Sequence, residues 1–150
     1  MSNLLMFLFV ASASAAMDKD TFTETRESID AAYRSEQAQC ASLKGNAKDV
    51  CEAEAKAKRR IEKTEVEAEY KNTAKARTMA IVARADAEYS VAKKKCDVLS
   101  GTEKTVCVTK AKAARVRAKA DARANQEVIR KRDADSGIAR ERLRREAERR

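Results

Sequence analysis

The chain has 150 residues, including 33 Lys or Arg and 24 Asp or Glu, and it carries a net charge of +9 without any His, Pro or Trp. The lack of His excludes an imidazole base and a Cys/His zinc site. Its three glycines are isolated from one another, which excludes Gly-rich phosphate-binding loops. A composition rich in Ala, Lys, Arg and Glu is typical of long helices and not of a thick globular core. We therefore expect a helical protein that is not an enzyme, with no cofactor, no metal and no small-molecule substrate.

The first 16 residues have the features of a secretory signal peptide. They carry no charged side chain, and a short apolar run is followed by small residues that allow cleavage after Ala13, Ala15 or Ala16. The apolar run is too short to span a bilayer. No Lys or Arg precedes it, so a misassigned start codon and an apolar tail that is not exported stay open as alternatives. We expect export to the periplasm or the exterior, where paired cysteines are oxidised.

The first helix is predicted from about Thr21 to Lys44. Its apolar side chains recur at spacings near 3.5 residues, which places them on one stripe. The stripe consists of Phe22, Ile29, Tyr33, Cys40 and Leu43 and is interrupted by Glu36.

A segment that begins in this helix returns 56 positions later and uses all four cysteines of the chain. The recurring pairs are Tyr33/Tyr89, Cys40/Cys96, Leu43/Leu99, Gly45/Gly101, Lys48/Lys104, Val50/Val106 and Cys51/Cys107. Leu-x-Gly often ends a helix, because Gly adopts the left-handed conformation that closes the last turn. The residues after the two glycines, Asn46 and Thr102, are good N-caps for a new helix. The pattern in each copy therefore predicts two antiparallel helices joined by a tight turn.

The four cysteines are predicted to form one disulfide within each copy, Cys40–Cys51 and Cys96–Cys107. In each copy the two cysteines flank the turn symmetrically and face each other across the hairpin. Each bond would add roughly 3 kcal/mol in the chain-entropy account. Pairing Cys40 with Cys96 would require the two hairpins to lie side by side, and pairing Cys51 with Cys96 would require a break in the helix between them. Four buried thiols are a further alternative.

The second helix is predicted from near Ala47 up to Gly101, since neither Pro nor Gly lies between them. If unbroken, it is about 80 Å long and separates Cys51 from Cys96 by about 68 Å. The first helix then lies along its first half and the third helix along its second half, in a thin rod. The apolar stripes of the two halves are Val50, Ala53, Ala57, Ile61, Thr64 and Ala68, and Val82, Ala85, Tyr89, Ala92, Cys96 and Leu99. Residues 71–78 have almost no apolar stripe, so a bend there is an open alternative.

The third helix is predicted to begin near Glu103. The residues expected to face inward are Val106, Ala113, Val116, Ala120, Ala124 and Val128. Ser136-Gly137 predicts a break. The chain then divides into a signal peptide (1–16), a first hairpin (17–72), a second hairpin (73–135) and a basic C-terminal helix or tail (136–150). The fold class is all-α, with about three long helices in elongated, coiled-coil-like antiparallel hairpins stapled by disulfides.

Charge is divided unevenly between the two halves. Residues 1–72 have a net charge of −2, and residues 73–150 have a net charge of +11. This asymmetry indicates an anionic partner for the second half. The candidate anion-binding residues are Lys93, Lys94, Lys95, Lys110, Lys112, Arg115, Arg117, Lys119, Arg130, Lys131, Arg132, Arg144 and Arg145. Residues 90–150 contain no stacking aromatic side chains, so lipopolysaccharide or anionic lipid is the first candidate and nucleic acid the runner-up.

Residues 40–56 read Cys-x-x-Leu-x-Gly-Asn-Ala-Lys-Asp-Val-Cys-x-Ala-Glu-Ala-Lys, and in this motif the chain resembles a group of small exported proteobacterial proteins. These proteins have duplicated Cys-x10-Cys units and are often called TolA-like or cell-envelope-biogenesis proteins. The second unit departs from the motif, with Thr102-Glu103 in place of Asn-Ala. The resemblance covers most of the chain and implies a helical envelope protein without catalytic residues.

The expected function is therefore a structural or interaction role in the cell envelope. The partner would be an envelope protein or an anionic envelope component. Polyanion binding through the basic half is the alternative, and a homo-oligomeric coiled-coil scaffold is a further variant.

Overall fold

The computed structural model describes residues 17–148, without the side chains of residues 133, 139, 142 and 143. The predicted signal peptide, residues 1–16, lies outside the described residues. Throughout the described range the regular structure is helical: α1 Lys19–Cys40, α2 Gly45–Lys71, α3 Ala74–Lys95 and α4 Gly101–Glu148, with a 3-10 turn at Cys96–Val98. The all-α prediction is confirmed, with four α-helices where about three were expected.

The predicted middle helix is broken at Asn72, within the stretch where a bend was left open. Asn72 adopts the left-handed conformation (φ 45°) and ends α2, and its backbone N–H donates to the carbonyl of Ala68. Thr73 then caps α3, because its hydroxyl oxygen accepts from the backbone N–H of Ala76 at 3.1 Å. The guanidinium of Arg77 donates to the side-chain oxygen of Asn72 at 2.8 Å and holds the turn. Asn is the residue other than Gly that most readily takes this conformation, so the helix stops here without a glycine.

Helix α3 runs back along α2, so the straight rod is wrong. At one end of this pair the buried residues Ala68, Ala76 and Ala80 pack together. At the other end the side-chain amide of Asn46 donates to the carbonyl of Lys94 at 2.9 Å. The two hairpins therefore lie side by side, and the helices pack in chain order: α1 on α2, α2 on α3 and α3 on α4.

Opposite faces of α2 contact its two neighbours. The face toward α1 includes Arg59 and Lys63, which both bind Asp30 of α1. The face toward α3 includes Ala57 and Ala68. This second face is the apolar stripe that the rod arrangement assigned to α1, so that assignment is wrong. Successive neighbours on opposite sides of a helix produce an open array rather than a closed bundle.

Helix α4 differs from its prediction in two ways. It continues through Gly137 to Glu148 without the break expected at Ser136-Gly137, which makes it 48 residues and about 72 Å long. The stripe predicted to face inward is exposed, with 45% exposure at Val106, 59% at Val116 and 55% at Val128. The buried residue Ala122 lies on another side of the helix, which packs on α3.

The interior is narrow and consists mainly of alanine. The buried apolar residues are Ile29, Cys40, Ala55, Ala57, Ala68, Ala76, Ala80, Ala83, Ala85, Ala87, Cys96 and Ala122. Alanine removes little apolar area from water, so each helix contact contributes little to the free energy of folding. Cross-links and ion pairs between helices therefore carry more of the stability here than in a protein with a thick core.

Candidate functional site

Two disulfides close the two hairpins. Cys40 is joined to Cys51 and Cys96 to Cys107, with Cα–Cα distances of 5.6 and 5.8 Å. The predicted local pairing is confirmed. A large separation of Cys51 from Cys96 along one straight helix is not the reason for this pairing, because α3 folds back along α2 and brings the two disulfide-bonded ends together. The pairing instead follows from the two tight turns, each of which holds its own cysteines within bonding distance.

Both hairpin ends meet through polar contacts. Asn46 of α2 donates a hydrogen bond to the backbone carbonyl of Lys94, and in addition the ammonium of Lys94 lies 3.5 Å from the carboxylate of Asp49 of α2. The ammonium of Lys95 lies 2.7 Å from Glu54 of α2. These contacts connect the last turn of α3 to the first turns of α2, so the two disulfides belong to one end of the molecule.

Both turn glycines adopt the predicted left-handed conformation, but the helices end and begin at other residues than expected. Helix α1 ends at Cys40, four residues before the predicted Lys44, and Gly45 (φ 56°) and Gly101 (φ 51°) begin the next helices in the left-handed conformation. Lys44 is therefore the N-cap of α2, and Asn46 lies inside the helix. The predicted capping role of Asn46 is wrong, because its amide is used between α2 and α3. Helix α4 likewise begins at Gly101, before Thr102.

An Asp–Arg–Lys–Tyr cluster joins α1 to α2. The carboxylate of Asp30 accepts hydrogen bonds from Arg59 and Lys63, both at 2.6 Å. The guanidinium of Arg59 also lies over the ring of Tyr33, 4.9 Å from its centre. The hydrogen bonds from Lys63 and then Arg59 lower the pKa of Asp30 to about 2. The aspartate is thus ionised throughout the ordinary pH range and acts as a structural anchor between the helices.

The same cluster recurs between α3 and α4. Asp86 accepts hydrogen bonds from Arg115 at 2.5 Å and from Lys119 at 3.1 Å. The guanidinium of Arg115 lies 5.1 Å from the ring centre of Tyr89, and Arg60 of α2 approaches Asp86 to 3.7 Å. Burial raises the pKa of Asp86, but the hydrogen bonds from Arg115 and Lys119 outweigh it and hold the pKa below its ordinary value. Asp86 therefore connects three helices.

Apolar periodicity does not reveal these clusters, although the repeat contains them. Asp30, Arg59 and Lys63 recur as Asp86, Arg115 and Lys119 at the same spacing of 56 residues as the cysteines. A search for apolar periodicity passes over charged residues, whereas a comparison of every position with its repeat partner would have found them. In both clusters the tyrosine ring carries the guanidinium group of the arginine over its face.

The candidate anion-binding residues divide into two groups. Arg115 and Lys119 are bound to Asp86, and Lys94 and Lys95 are paired with acidic groups of α2. These four side chains hold helices together. An anion would have to displace a carboxylate to reach them.

The other candidates lie on exposed parts of α3 and α4. The side chains of Arg117, Arg130 and Lys131 are 87%, 74% and 72% exposed, and those of Arg144 and Arg145 are 66% and 68% exposed. All five lie within 4.0 Å of an acidic residue of the same helix. Lys93, Lys110, Lys112 and Arg132 are also exposed. The basic residues of α4 are spread along the helix and do not form one compact pocket.

A groove of about 450 Å³ lies between α2 and α3 beside the reversal at Asn72. Its lining combines the apolar side chains of Met79 and Val82 with charged Glu67 and Lys71. Within residues 17–148, no three His, Cys, Asp or Glu side chains are grouped so that they could hold a metal ion. Among the described helices, none has the length and apolarity needed to cross a bilayer.

Comparison of the chain with protein-family models, curated proteins and solved structures found no match.

Proposed function

We propose that the protein is exported to an oxidising compartment, the periplasm, and has a non-enzymatic structural or interaction role in the cell envelope. One observation carries the proposal: all four cysteines are joined in two disulfides. Disulfides persist in exported proteins and are rare in the reducing cytosol.

The construction of the fold explains why such a protein would depend on these bonds. The interior is thin and alanine-rich, and each disulfide closes a loop with a sequence separation of 11. In the chain-entropy account, a loop of this size contributes roughly 3 kcal/mol. The free energy of unfolding of a folded domain is usually about 5–15 kcal/mol, so two such bonds contribute a large share of it.

Intact-mass and peptide analysis of the protein isolated from its own cells tests the proposal. We expect the oxidised chain in the envelope or periplasmic fraction, with its N-terminus at one of the positions that follow Ala13, Ala15 or Ala16. A reduced chain with an intact N-terminus in the cytosol would refute it. A matched variant with a charged residue in the apolar run, Leu5→Arg, should stay in the cytosol with reduced cysteines.

A second candidate function is the binding of polyanions, with lipopolysaccharide or anionic lipid before nucleic acid. It is favoured by the length of α4 beyond its last described buried residue, Ala122, because α4 has 48 residues, whereas α3, on which it packs, has 22. Arginines and lysines are exposed on this part of α4. Acidic neighbours on the same helix reduce the local positive potential. Binding would therefore be weak and would fall steeply with salt.

Retention of the full oxidised chain on immobilised lipopolysaccharide, measured against salt, tests this candidate. Four charges are removed from α4 by changing Arg130, Lys131, Arg144 and Arg145 to Gln. The matched control removes four exposed charges from the first hairpin by changing Lys19, Arg34, Lys44 and Lys56 to Gln. We expect the first variant to elute at lower salt than the second, and equal elution of the two would refute the candidate.

A further inference from the structure

The two helix faces that form the contact between the hairpins, on α2 and α3, each have a repeat partner. These partner faces lie on α4 and α1, the outer helices of the array, and no described helix packs on them. In α2, the face toward α3 includes Ala57, Thr64 and Ala68, and two of these alanines are only 9% and 6% exposed. Their repeat partners in α4, 56 positions later, are Ala113, Ala120 and Ala124, and all three are exposed. The hairpin repeat has therefore duplicated a helix-packing face that has no occupant within the described chain.

We call this surface the outer face of α4 and define it by Val106, Ala113, Val116, Ala120 and Ala124. It is more apolar than its counterpart, because Val116 takes the place of Arg60 and Ala120 that of Thr64. A column of small and β-branched residues along a helix allows a second helix to approach closely. The same column was predicted from the sequence to face inward.

Helix α1 carries the face that corresponds, in the repeat, to the face of α3 that packs on α2. In α3, the face toward α2 contains the buried residues Ala76, Ala80, Ala83 and Ala87. Their repeat partners in α1 are Asp20, Glu24, Glu27 and Ala31, and all four are exposed. We call them the outer face of α1.

The charges of the two outer faces are opposite. Helix α1 has three basic and five acidic residues, and three of the acidic ones lie on its outer face. Helix α4 has 14 basic and eight acidic residues, with Lys110, Arg117 and Arg123 beside its outer face. Two copies of α4 would repel each other, whereas α4 of one copy and α1 of another attract.

We propose that copies of this chain associate head to tail, with the outer face of α4 of one copy packed on the outer face of α1 of the next. The contact uses the faces that correspond to the α2–α3 contact and extends the array of hairpins. Because Asp20, Glu24 and Glu27 stand where α3 has buried alanines, it depends on Lys110, Arg117 and Arg123 to neutralise these carboxylates and not on close alanine packing. Such a contact is heterologous, so it does not close on itself in a dimer and leaves one face free at each end. Repeat proteins extend in this way through identical neighbour contacts.

The association is expected to be weak. Within the chain, a two-residue connection joins α2 to α3 and gives their contact a high effective concentration, which separate copies lack. A single helix pair also buries less than the roughly 1,600 Å² of a standard interface, so dissociation constants of about 1 µM to 1 mM are expected. The proposal does not depend on where in the cell the protein resides.

Neighbouring alanines provide matched variants for the test. Ala113→Glu and Ala31→Glu place a carboxylate in the two outer faces, at positions whose partners Ala57 and Ala87 are 9% and 3% exposed. The controls Ala114→Glu and Ala32→Glu add the same charge one residue along. Their repeat partners, Lys58 and Glu88, keep 53% and 63% of their side chains exposed in the packed array. All four alanines are exposed in the single chain, so each variant should fold as the unmodified protein does, which circular dichroism checks.

Sedimentation equilibrium of the full oxidised chain, up to about 1 mM, is the measurement. The unmodified protein and both controls should increase in average mass with concentration, less so at high salt. Ala113→Glu and Ala31→Glu should each associate at least about tenfold more weakly, which corresponds to about 1.4 kcal/mol, because each adds a carboxylate beyond the three of α1 that Lys110, Arg117 and Arg123 can neutralise. An equimolar mixture of these two variants should form a heterodimer and nothing larger, because each supplies the face that the other lacks.

Three results would overturn the proposal. One is an unmodified protein that stays monomeric over the whole range. Another is an effect of Ala113→Glu without an equal effect of Ala31→Glu, which would indicate that α4 packs on a second α4 or on another surface. The third is a mixture of the two variants that remains monomeric or forms species larger than a dimer.

Discussion

Replacing Asp86 with Asn should destabilise the protein more than the same change at any fully exposed aspartate of α4. The side chain of Asp86 is 17% exposed, and its cationic partners Arg115 and Lys119 are 35% and 22% exposed. Asn keeps the shape of Asp but removes the charge that three helices share. The matched control is Asp121→Asn, because Asp121 is 69% exposed and faces Arg117, which is 87% exposed.

The expected magnitude follows from this difference in exposure. A hydrogen bond to a charged group contributes about 1.5–3 kcal/mol when water is largely excluded. The amide oxygen of Asn can still accept one hydrogen bond, while the charges of Arg115 and Lys119 lose their counter-ion. We therefore expect Asp86→Asn to lower the free energy of unfolding by about 1.5–3 kcal/mol. For Asp121→Asn we expect less than about 0.5 kcal/mol, since exposed helix pairs contribute little.

Urea unfolding at pH 7 under oxidising conditions measures both changes, because urea does not screen charge as guanidinium does. The circular dichroism and tyrosine-fluorescence transitions should coincide if unfolding is two-state. A double-mutant cycle with Lys119→Met isolates the interaction between Asp86 and Lys119. Equal destabilisation by Asp86→Asn and Asp121→Asn, or a coupling energy of zero in the cycle, would refute the assignment of Asp86 as a structural anchor.

Three further predictions concern the turn, the first cluster and the first disulfide. Asn72→Ala should cost about 1 kcal/mol because Ala resists the left-handed conformation, and Asn72→Gly should cost less, as measured by thermal unfolding. The pKa of Asp30 is lowered to about 2, so its pair stabilises the fold fully above pH 3.8 and loses this effect as the pH falls through 2. Lys63→Met should raise that pKa toward 3.8, which an NMR titration of the carboxyl carbon would detect. Replacing Cys40 and Cys51 together with Ala should lower stability by about 3 kcal/mol and leave the second disulfide intact in a non-reducing peptide map.

The local parts of the fold could be predicted from the sequence. Each disulfide closes across a turn only a few residues long, so its geometry depends on the Leu-x-Gly segment between its cysteines and not on distant residues. The apolar stripe of α1 was also predicted correctly as far as Cys40, since Ile29 and Cys40 are buried and Phe22 stacks on Tyr70 of α2 at 4.4 Å. Its last predicted member, Leu43, lies beyond the end of α1 and is 40% exposed. The turns and the stripe depend on residues that are close together in the chain, whose spacing determines the helix face on which they lie.

The reversal between α2 and α3 was harder to predict because its signal is weak. Asn72 and Thr73 form a left-handed stop followed by an N-cap, but Asn and Thr also occur inside helices. What favours the reversal is the packing of Ala68 against Ala76 and Ala80, which exists only once the chain has turned back. A local pattern could therefore indicate a bend but not its angle.

The choice of packing face depended on the tertiary structure. Hydrophobic periodicity selected the column that contains Val106 and Val116 as the inner face of α4, and this column is exposed. The inner face is instead set by Cys107, Arg115 and Lys119, because the disulfide and the two bonds to Asp86 orient the helix. Charged residues that anchor a helix contribute nothing to an apolar stripe, so the stripe indicates the wrong side.

The sequence by itself thus determined that the chain is helical, that it contains two similar hairpins and that each hairpin closes with its own disulfide. The tertiary structure alone decided that the hairpins lie side by side, that Asp30 and Asp86 anchor them, and that apolar residues of α4 remain uncovered. The physical reason is the range of the interactions. Turns, caps and cross-links of a hairpin act over a few residues, whereas the side on which one helix packs against another depends on contacts between residues far apart in the chain.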